Sequence, residues 1–306
     1  MKEKGAEYIW FDGKFVKWED AKVPVFTHAL HYGTAVFEGI RGYGSKDNNV
    51  FIFRLKEHME RLHRSANVYS LALKHSVKEL GDATVELLKK NKMKESVYIR
   101  PLTFVGLHGI DLNVTKDSPT HTIIVAFPFA KYFKGDGLKA RVSSWRRISD
   151  QTTPPLAKAA GNYLNSVLAT QECRRDGYDE SILLDVAGNV SEASGENIFL
   201  VRNGRIFTPY SADSALEGIT RESAITIARG MGYAVTERPI PRAELYMADE
   251  IFLTGTAAEI VPVTSIDGHA IGTGKEGPVS KSIRQTYEKV VTGGVKEYTG
   301  WLTPVW

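Results

Sequence analysis

The sequence has one cysteine, Cys173, in 306 residues. No intrachain disulfide is possible, and a reducing, cytoplasmic setting is the expectation. No apolar run approaches the roughly 20 residues that a membrane helix needs. Neither charge dominates: 39 Lys and Arg stand against 36 Asp and Glu, a net of +3. A dedicated nucleic-acid surface is therefore not expected. Internal repeats and low-complexity segments are lacking, which excludes solenoids and long disordered tracts. The opening MKEKGAEYIWFDGKF has no apolar signal core, so the N-x-S/T triplets at 113–115 and 189–191 read as chance matches. No spaced set of metal-ligating residues stands out. His28 and His31 in THALHYG lack an acidic or cysteine partner and read as hydrogen-bonded structural histidines.

What is present is an ordinary globular composition, 42% hydrophobic and 25% charged, in a chain long enough for two cores. YIWF (8–11) and KFVKW (14–18) flank Asp-Gly, a hairpin signal. Strands are expected at 35–44, 49–53, 96–106 and 121–129. Residues 55–73 place Leu55, Met59, Leu62, Ala66 and Tyr69 on one helical stripe, and 77–91 repeat the pattern. The polar, glycine-bearing AKYFKGDG (130–137) reads as a linker. Beyond it, strands at 138–145, 180–185, 197–201, 233–238, 249–254 and 258–263 alternate with helices at 162–175, 220–230 and 278–292. The expected fold class is an α+β N-terminal domain (1–129) followed by a larger, mixed α/β C-terminal domain (138–306). The tryptophans of the closing GWLTPVW are expected to pack.

Several short stretches carry chemistry. In TTPPLAKAAGNYLNS (152–166), Lys158 stands among small residues, which would leave room beside its amine for something flat and bulky. NVSEASGENIF (189–199) crowds Glu192, Glu196 and Asn197 just before a strand. SALEGITRESAI (214–225) has helix-start chemistry, with Thr220 as an N-cap candidate and Glu222 in the first turn. Helix N-termini bind anions through backbone N–H groups. LTGTAAEIVPV (253–263) interrupts two apolar strands with a small-residue turn, a second anion cradle. GTGKEG (272–277) fits a dinucleotide fingerprint in letters only, because Pro278 follows and no further βαβ unit remains. Taken singly, each stretch has a bland reading: a capped turn, a capped helix, a surface loop. Together they supply an amine, an acid and two phosphate cradles, the parts that a pyridoxal-phosphate site needs.

The order and spacing of EASGENIF, IFT and LEGITR (192–221) resemble the signature of the class IV, fold-type IV pyridoxal-phosphate aminotransferases, the D-amino-acid aminotransferase-like fold. HALHYGTAVFEGIRGY (28–43), HMERLHRSA (58–66), YIRPLTFVG (98–106) and GTAAEIVPV (255–263) are similar to the branched-chain amino-acid aminotransferases of that class. The likeness runs over nearly the whole chain. It implies pyridoxal 5′-phosphate as cofactor, Lys158 as Schiff-base lysine and proton shuttle, Glu192 at the pyridine nitrogen and Tyr163 at the ring hydroxyl. It assigns Arg61, Leu216, Ile219, Thr220 and Thr256 to the cofactor and its phosphate. The substrate carboxylate falls to Tyr98, Ala257 and Ala258, and the distal carboxylate of glutamate to Arg100. Phe37, Gly39, Phe129 and Tyr132 would line the side-chain pocket. Tyr32 and loop 106–113 would reach a neighbouring copy, in a homodimer or homohexamer. The implied reaction is ping-pong transfer between leucine, isoleucine or valine and 2-oxoglutarate. D-amino-acid or (R)-amine transamination and aminodeoxychorismate cleavage are alternatives within the fold, and a non-enzymatic binding protein is the alternative outside it.

Overall fold

A computed structural model describes residues 6–45, 47–130 and 137–306. Residues 131–136, which hold Tyr132 and most of the expected linker, lie outside the described residues. Chain contacts divide the molecule into two compact units. The first comprises Met1–Ala130, Ala157–Gly161 and Lys289–Trp306, and the second Lys131–Leu156 and Asn162–Glu288. Lys158 and the C-terminal segment thus count with the first unit, although the sequence reading places them with the second domain.

The first unit opens with a hairpin, β1 (Tyr8–Phe11) and β2 (Lys14–Lys17). Its two-residue loop has positive φ at both Asp12 (45°) and Gly13 (89°). That backbone matches the right-handed twist of the flanking strands, and Asp-Gly tolerates it. A short helix not anticipated from the sequence, α1 (His28–Tyr32), ends on left-handed Gly33. Then come β3 (Ala35–Phe37), β4 (Ile40–Gly44), β5 (Val50–Phe53), α2 (Leu55–Val68), α3 (Val77–Lys90), β6 (Val97–Val105) and β7 (Thr120–Pro128). The sheet runs from the C-terminal strand Leu302–Pro304 through β5, β4, β6, β7 and β1 to β2, with β3 also on β6, all antiparallel. Apolar stripes of both helices bury Met59, Leu62, Leu80, Leu87 and Leu88 in the same core as Ile40, Ile52, Ile99 and Ile124. Helix α2 stops at Val68, five residues short of expectation, where Ser70 turns left-handed at φ 54°. A reciprocal Ser76–Glu79 capping box starts α3. At the C-terminus Trp301 stacks on Tyr298 at 4.6 Å, with the Arg54 guanidinium 4.9 Å from its ring. Trp306 stays half exposed, its backbone held by the Asn49 side chain.

The second unit contains β8 (Leu138–Arg146), α4 (Tyr163–Arg175), β9 (Glu180–Leu184), β10 (Val190–Ala193), β11 (Asn197–Arg202), β12 (Arg205–Thr208), α5 (Ile219–Gly230), β13 (Val235–Glu237), β14 (Glu250–Gly255), β15 (Glu259–Ile266), β16 (His269–Ala270) and, up to Glu288, α6 (Pro278–Val291). Its sheet follows the order β10-β9-β8-β15-β14-β11-β12-β13, with β16 on β15. Strand β8 runs parallel to β9 and β15, and β12 parallel to β13; the other pairs are antiparallel. This is the expected mixed sheet. Its near-continuous burial in β9, β10, β11 and β14 explains the unbroken apolar runs. Strands β10 and β12 escaped the sequence reading because VSEA and RIFT are too short to show a period.

Candidate functional site

In the first unit, Lys158 sits at the crest of a tight turn that the Ala159 amide closes onto the Ala157 carbonyl at 2.8 Å. Three contacts fix that turn. The Lys158 amide donates to Ser65 Oγ at 3.0 Å, the Lys158 carbonyl accepts from the Phe37 amide at 3.0 Å, and Ala159 bridges to Val36. The small neighbours serve this packing. Ala159 is buried in the core, and a Cβ on Gly33 would lie 3.1 Å from the Gly161 Cα. The half-buried Lys158 side chain carries its Nζ to 5.2 Å from the Phe37 ring centre.

Arg61 lies on α2 and is buried. Its Nε donates to Glu38 Oε1 at 2.7 Å and its Nη2 to Glu38 Oε2 at 2.8 Å. His58, one turn earlier, donates from Nδ1 to Glu38 Oε2 at 2.7 Å; a carboxylate can only accept, so Nδ1 carries the proton. Burial by itself would raise the Glu38 pKa. Arg61 and His58 outweigh it and hold the carboxyl well below the usual range. Burial pushes His58 down, Glu38 opposes this in part, and Arg61 and Lys158 add to the fall, so the ring is neutral near pH 7.

Strand β6 puts Tyr98 and Arg100 on one face, as alternation requires, and Arg100 Nη2 donates to the Tyr98 hydroxyl at 3.0 Å. Phe37 lies under the Arg100 guanidinium at 4.6 Å, and Tyr98 contacts Phe127 and Phe129 at 5.6 and 5.2 Å between ring centres. Arg100 Nε is buried without a hydrogen-bond partner among the described residues. Gly39 is required by crowding, because a Cβ there would collide with the Tyr98 hydroxyl. Buried Arg41 stands opposite Tyr98 in the β4–β6 register, 5.2 Å from the Phe129 ring centre. Tyr32 and the apolar residues Leu107, Ile110 and Leu112 of loop 106–113 are exposed. His28 anchors that loop to α1, with Nδ1 to Thr34 at 2.8 Å and Nε2 to the Asp111 carbonyl at 3.1 Å.

In the second unit, Glu192 on β10 is 5% exposed. Its Oε2 accepts from Asn197 Nδ2 at 3.2 Å and the Leu216 amide at 3.0 Å, while Arg147 Nε lies 2.7 Å from Oε1. Asn197 also donates to the Leu216 carbonyl at 2.8 Å, so Leu216 takes part through its backbone. Gly218, not Thr220, caps α5, and among the described residues no side chain hydrogen-bonds to that cap. Thr220 sits inside the first turn with Ile219, whose N–H groups have no intrahelical partner. Thr256, Ala257 and Ala258 form the β14–β15 hairpin loop closed by the Gly255–Glu259 pair. Tyr163 opens α4, half buried. The look-alike turn GTGKEG leads into α6. Ahead of α6, Glu250 accepts from the Val279 and Ser280 amides and the Ser280 hydroxyl, which uses up that helix's N-terminal donors.

The sequence reading missed Glu38, Arg41, His58, Ser65 and Arg147. Two signals were available. Glu38 is a lone acid in the apolar, glycine-rich AVFEGI, and His58, Arg61 and Ser65 recur at helical spacing on α2. Arg147 carried none, because its carboxylate partner lies 45 positions away in sequence.

The Amino-transferase class IV family model matches residues 35–266. Branched-chain-amino-acid aminotransferase from Escherichia coli (strain K12) is 49% identical, over 100% of this chain and 99% of that protein. The branched-chain aminotransferase of Thermoproteus uzoniensis, solved with norvaline, is 46% identical with a TM-score of 0.95, covering 99% of this chain and 100% of its own. The branched-chain amino acid aminotransferase of Thermobaculum terrenum, solved in its PLP-form, is 38% identical with a TM-score of 0.94, covering 99% of each chain.

Proposed function

The chain belongs to the class IV aminotransferases, in their branched-chain amino-acid branch, and on that premise we propose that it moves amino groups between leucine, isoleucine or valine and 2-oxoglutarate with pyridoxal 5′-phosphate. The observation that carries the fit to this cofactor is Glu192. A carboxylate so buried, paired with Arg147 and held by two donors, stays anionic. An anion is what a protonated ring nitrogen requires. The open N-terminus of α5 fits a phosphate.

When bound, the cofactor supplies an aldehyde carbon for an amine and a ring that draws the electron pair left at the substrate α-carbon. The chain's residues do the rest. Lys158 Nζ would anchor the cofactor, and its amine would serve as general base for the substrate α-proton and as acid toward the cofactor's former aldehyde carbon. Glu192 would keep the ring nitrogen protonated, and Tyr163 would hold the ring hydroxyl. Arg61, the Ile219 and Thr220 amides and the Thr256 hydroxyl would hold the phosphate, and Leu216 braces Glu192 through its backbone. Tyr98 and the Ala257–Ala258 turn receive the α-carboxylate. Phe37, Gly39 and Phe129 shape the side-chain pocket, and Arg100 meets the distal carboxylate of glutamate. Tyr32 and loop 106–113 serve a second copy, so a homodimer is the working unit; their exposed apolar side chains support this. The lone buried Cys173 suits a reducing cytoplasm.

The test is the visible absorbance of the cofactor-loaded protein. L-glutamate or L-leucine should shift the cofactor band toward the ultraviolet, and 2-oxoglutarate should restore it, in two separable half-reactions. A spectrum indifferent to L-amino acids, or responsive to D-leucine alone, contradicts the reading.

A further inference from the structure

Four side chains that this function does not use, or uses singly, form one buried unit. Helix α2 presents His58, Arg61 and Ser65 on the same face, while the link between β3 and β4 presents Glu38. Glu38 is wholly buried and binds Arg61 through two nitrogens of the guanidinium, which fixes the plane of the group. Glu38 thereby sets which way the guanidinium faces. The same two segments hold the Lys158 turn: Ser65 takes its amide and Phe37 its carbonyl. A buried ion pair is a poor device for stability, since an apolar pair of equal volume serves as well. What it provides here is direction.

We propose that Glu38 is the positioning residue that aims Arg61 at the cofactor phosphate and holds it in register with Lys158. The proposal rests on the reading of Arg61 as a phosphate holder. The carboxylate is specifically needed, because Oε2 accepts from both Arg61 Nη2 and His58 Nδ1. A glutamine would offer one acceptor oxygen and turn an NH2 against a donor, so the guanidinium would rotate away. Lys158 and its turn would stay in place.

The experiment compares full-length, cofactor-stripped wild type with Glu38→Gln and Glu38→Asp, titrated with pyridoxal 5′-phosphate and with pyridoxal, which lacks the phosphate. Visible absorbance reads binding. Glu38→Gln should weaken the phosphorylated cofactor about tenfold or more, the scale of one hydrogen bond to a charged group. Pyridoxal affinity should hold within about twofold, well inside that scale. Glu38→Asp, which keeps the charge on a shorter stem, should fall between. In an Arg61→Ala background, Glu38→Gln should add nothing. Equal losses for pyridoxal and its phosphate, an unchanged or tighter phosphate affinity, or a further loss without Arg61 would overturn the proposal. If Glu38→Gln does not fold, Glu38→Asp carries the same comparison. Failure of the underlying reading shows separately: wild type would then bind neither compound in a Lys158-dependent way.

Discussion

Arg147 Nε stands 2.7 Å from Glu192 Oε1, and both side chains are buried. The pair ties the loop after β8 to β10 and leaves the other carboxylate oxygen to Asn197 and the Leu216 amide. Removing one partner strands the other as an uncompensated buried charge, a loss of about 3–5 kcal/mol. Arg147→Met and Glu192→Gln should therefore each lower the unfolding midpoint, and the double variant should regain part of the loss. Turnover should not recover, because the amide cannot keep the ring nitrogen charged. Denaturant melts and single-turnover rates with L-leucine check both halves. Additive stability losses, or a wild-type rate in Glu192→Gln, would count against the assignment.

Arg100 and Tyr98 offer a guanidinium and a hydroxyl along one wall. Leucine has no distal carboxylate to use the cation. Arg100→Leu should slow the glutamate half-reaction about tenfold or more relative to leucine, the scale of a charge-assisted hydrogen bond. Stopped-flow measurement of each half-reaction decides. Equal losses would mean that Arg100 only supports the fold.

Gly39 leaves room for the Tyr98 hydroxyl, where an added methyl would collide. Gly39→Ala should raise KM for L-leucine and L-glutamate alike while cofactor affinity stays constant. Unchanged KM values would show that Tyr98 does not meet the shared carboxylate.

Stability should peak across neutral to mildly alkaline pH. His58 is held below its usual 6.5, so the unfolded chain binds the extra proton first, and stability falls as pH drops below about 6.5. Glu38, also held low, adds to the loss at more acid pH. Cys173 is raised from 9.0 to about 11 by burial. The unfolded thiol therefore ionises first, and stability falls again above about pH 9. Urea midpoints against pH should flatten on the alkaline side in Cys173→Ala. An alkaline limb that this variant leaves unaltered would contradict the assignment.

Much of the fold was legible because its signals are local. The Asp-Gly hairpin, the apolar stripes of α2 and α3 and the small-residue turn before β15 each read from a few neighbouring residues. The end of α2 was not legible, since Tyr69 continues the stripe while Ser70 breaks the backbone. Among the candidate residues, Lys158 and Glu192 stood out in short motifs, and Arg61 only through the family likeness. Their supports did not. Glu38 reaches Arg61 across 23 positions and Arg147 reaches Glu192 across 45, and no local period encodes such a pairing. The small residues around Lys158 looked like room for a ligand, yet part of that smallness serves backbone packing of Ala159 and of Gly33 against Gly161.

The central claim is that Lys158 carries the cofactor and moves the proton. The most direct measurement loads the protein with pyridoxal 5′-phosphate, reduces it with borohydride and maps the labelled peptide by mass spectrometry. Label on Lys158, its absence in Lys158→Ala, and loss of leucine–2-oxoglutarate transamination in that variant are the expected results. Label on another lysine, or wild-type turnover without Lys158, would contradict the account.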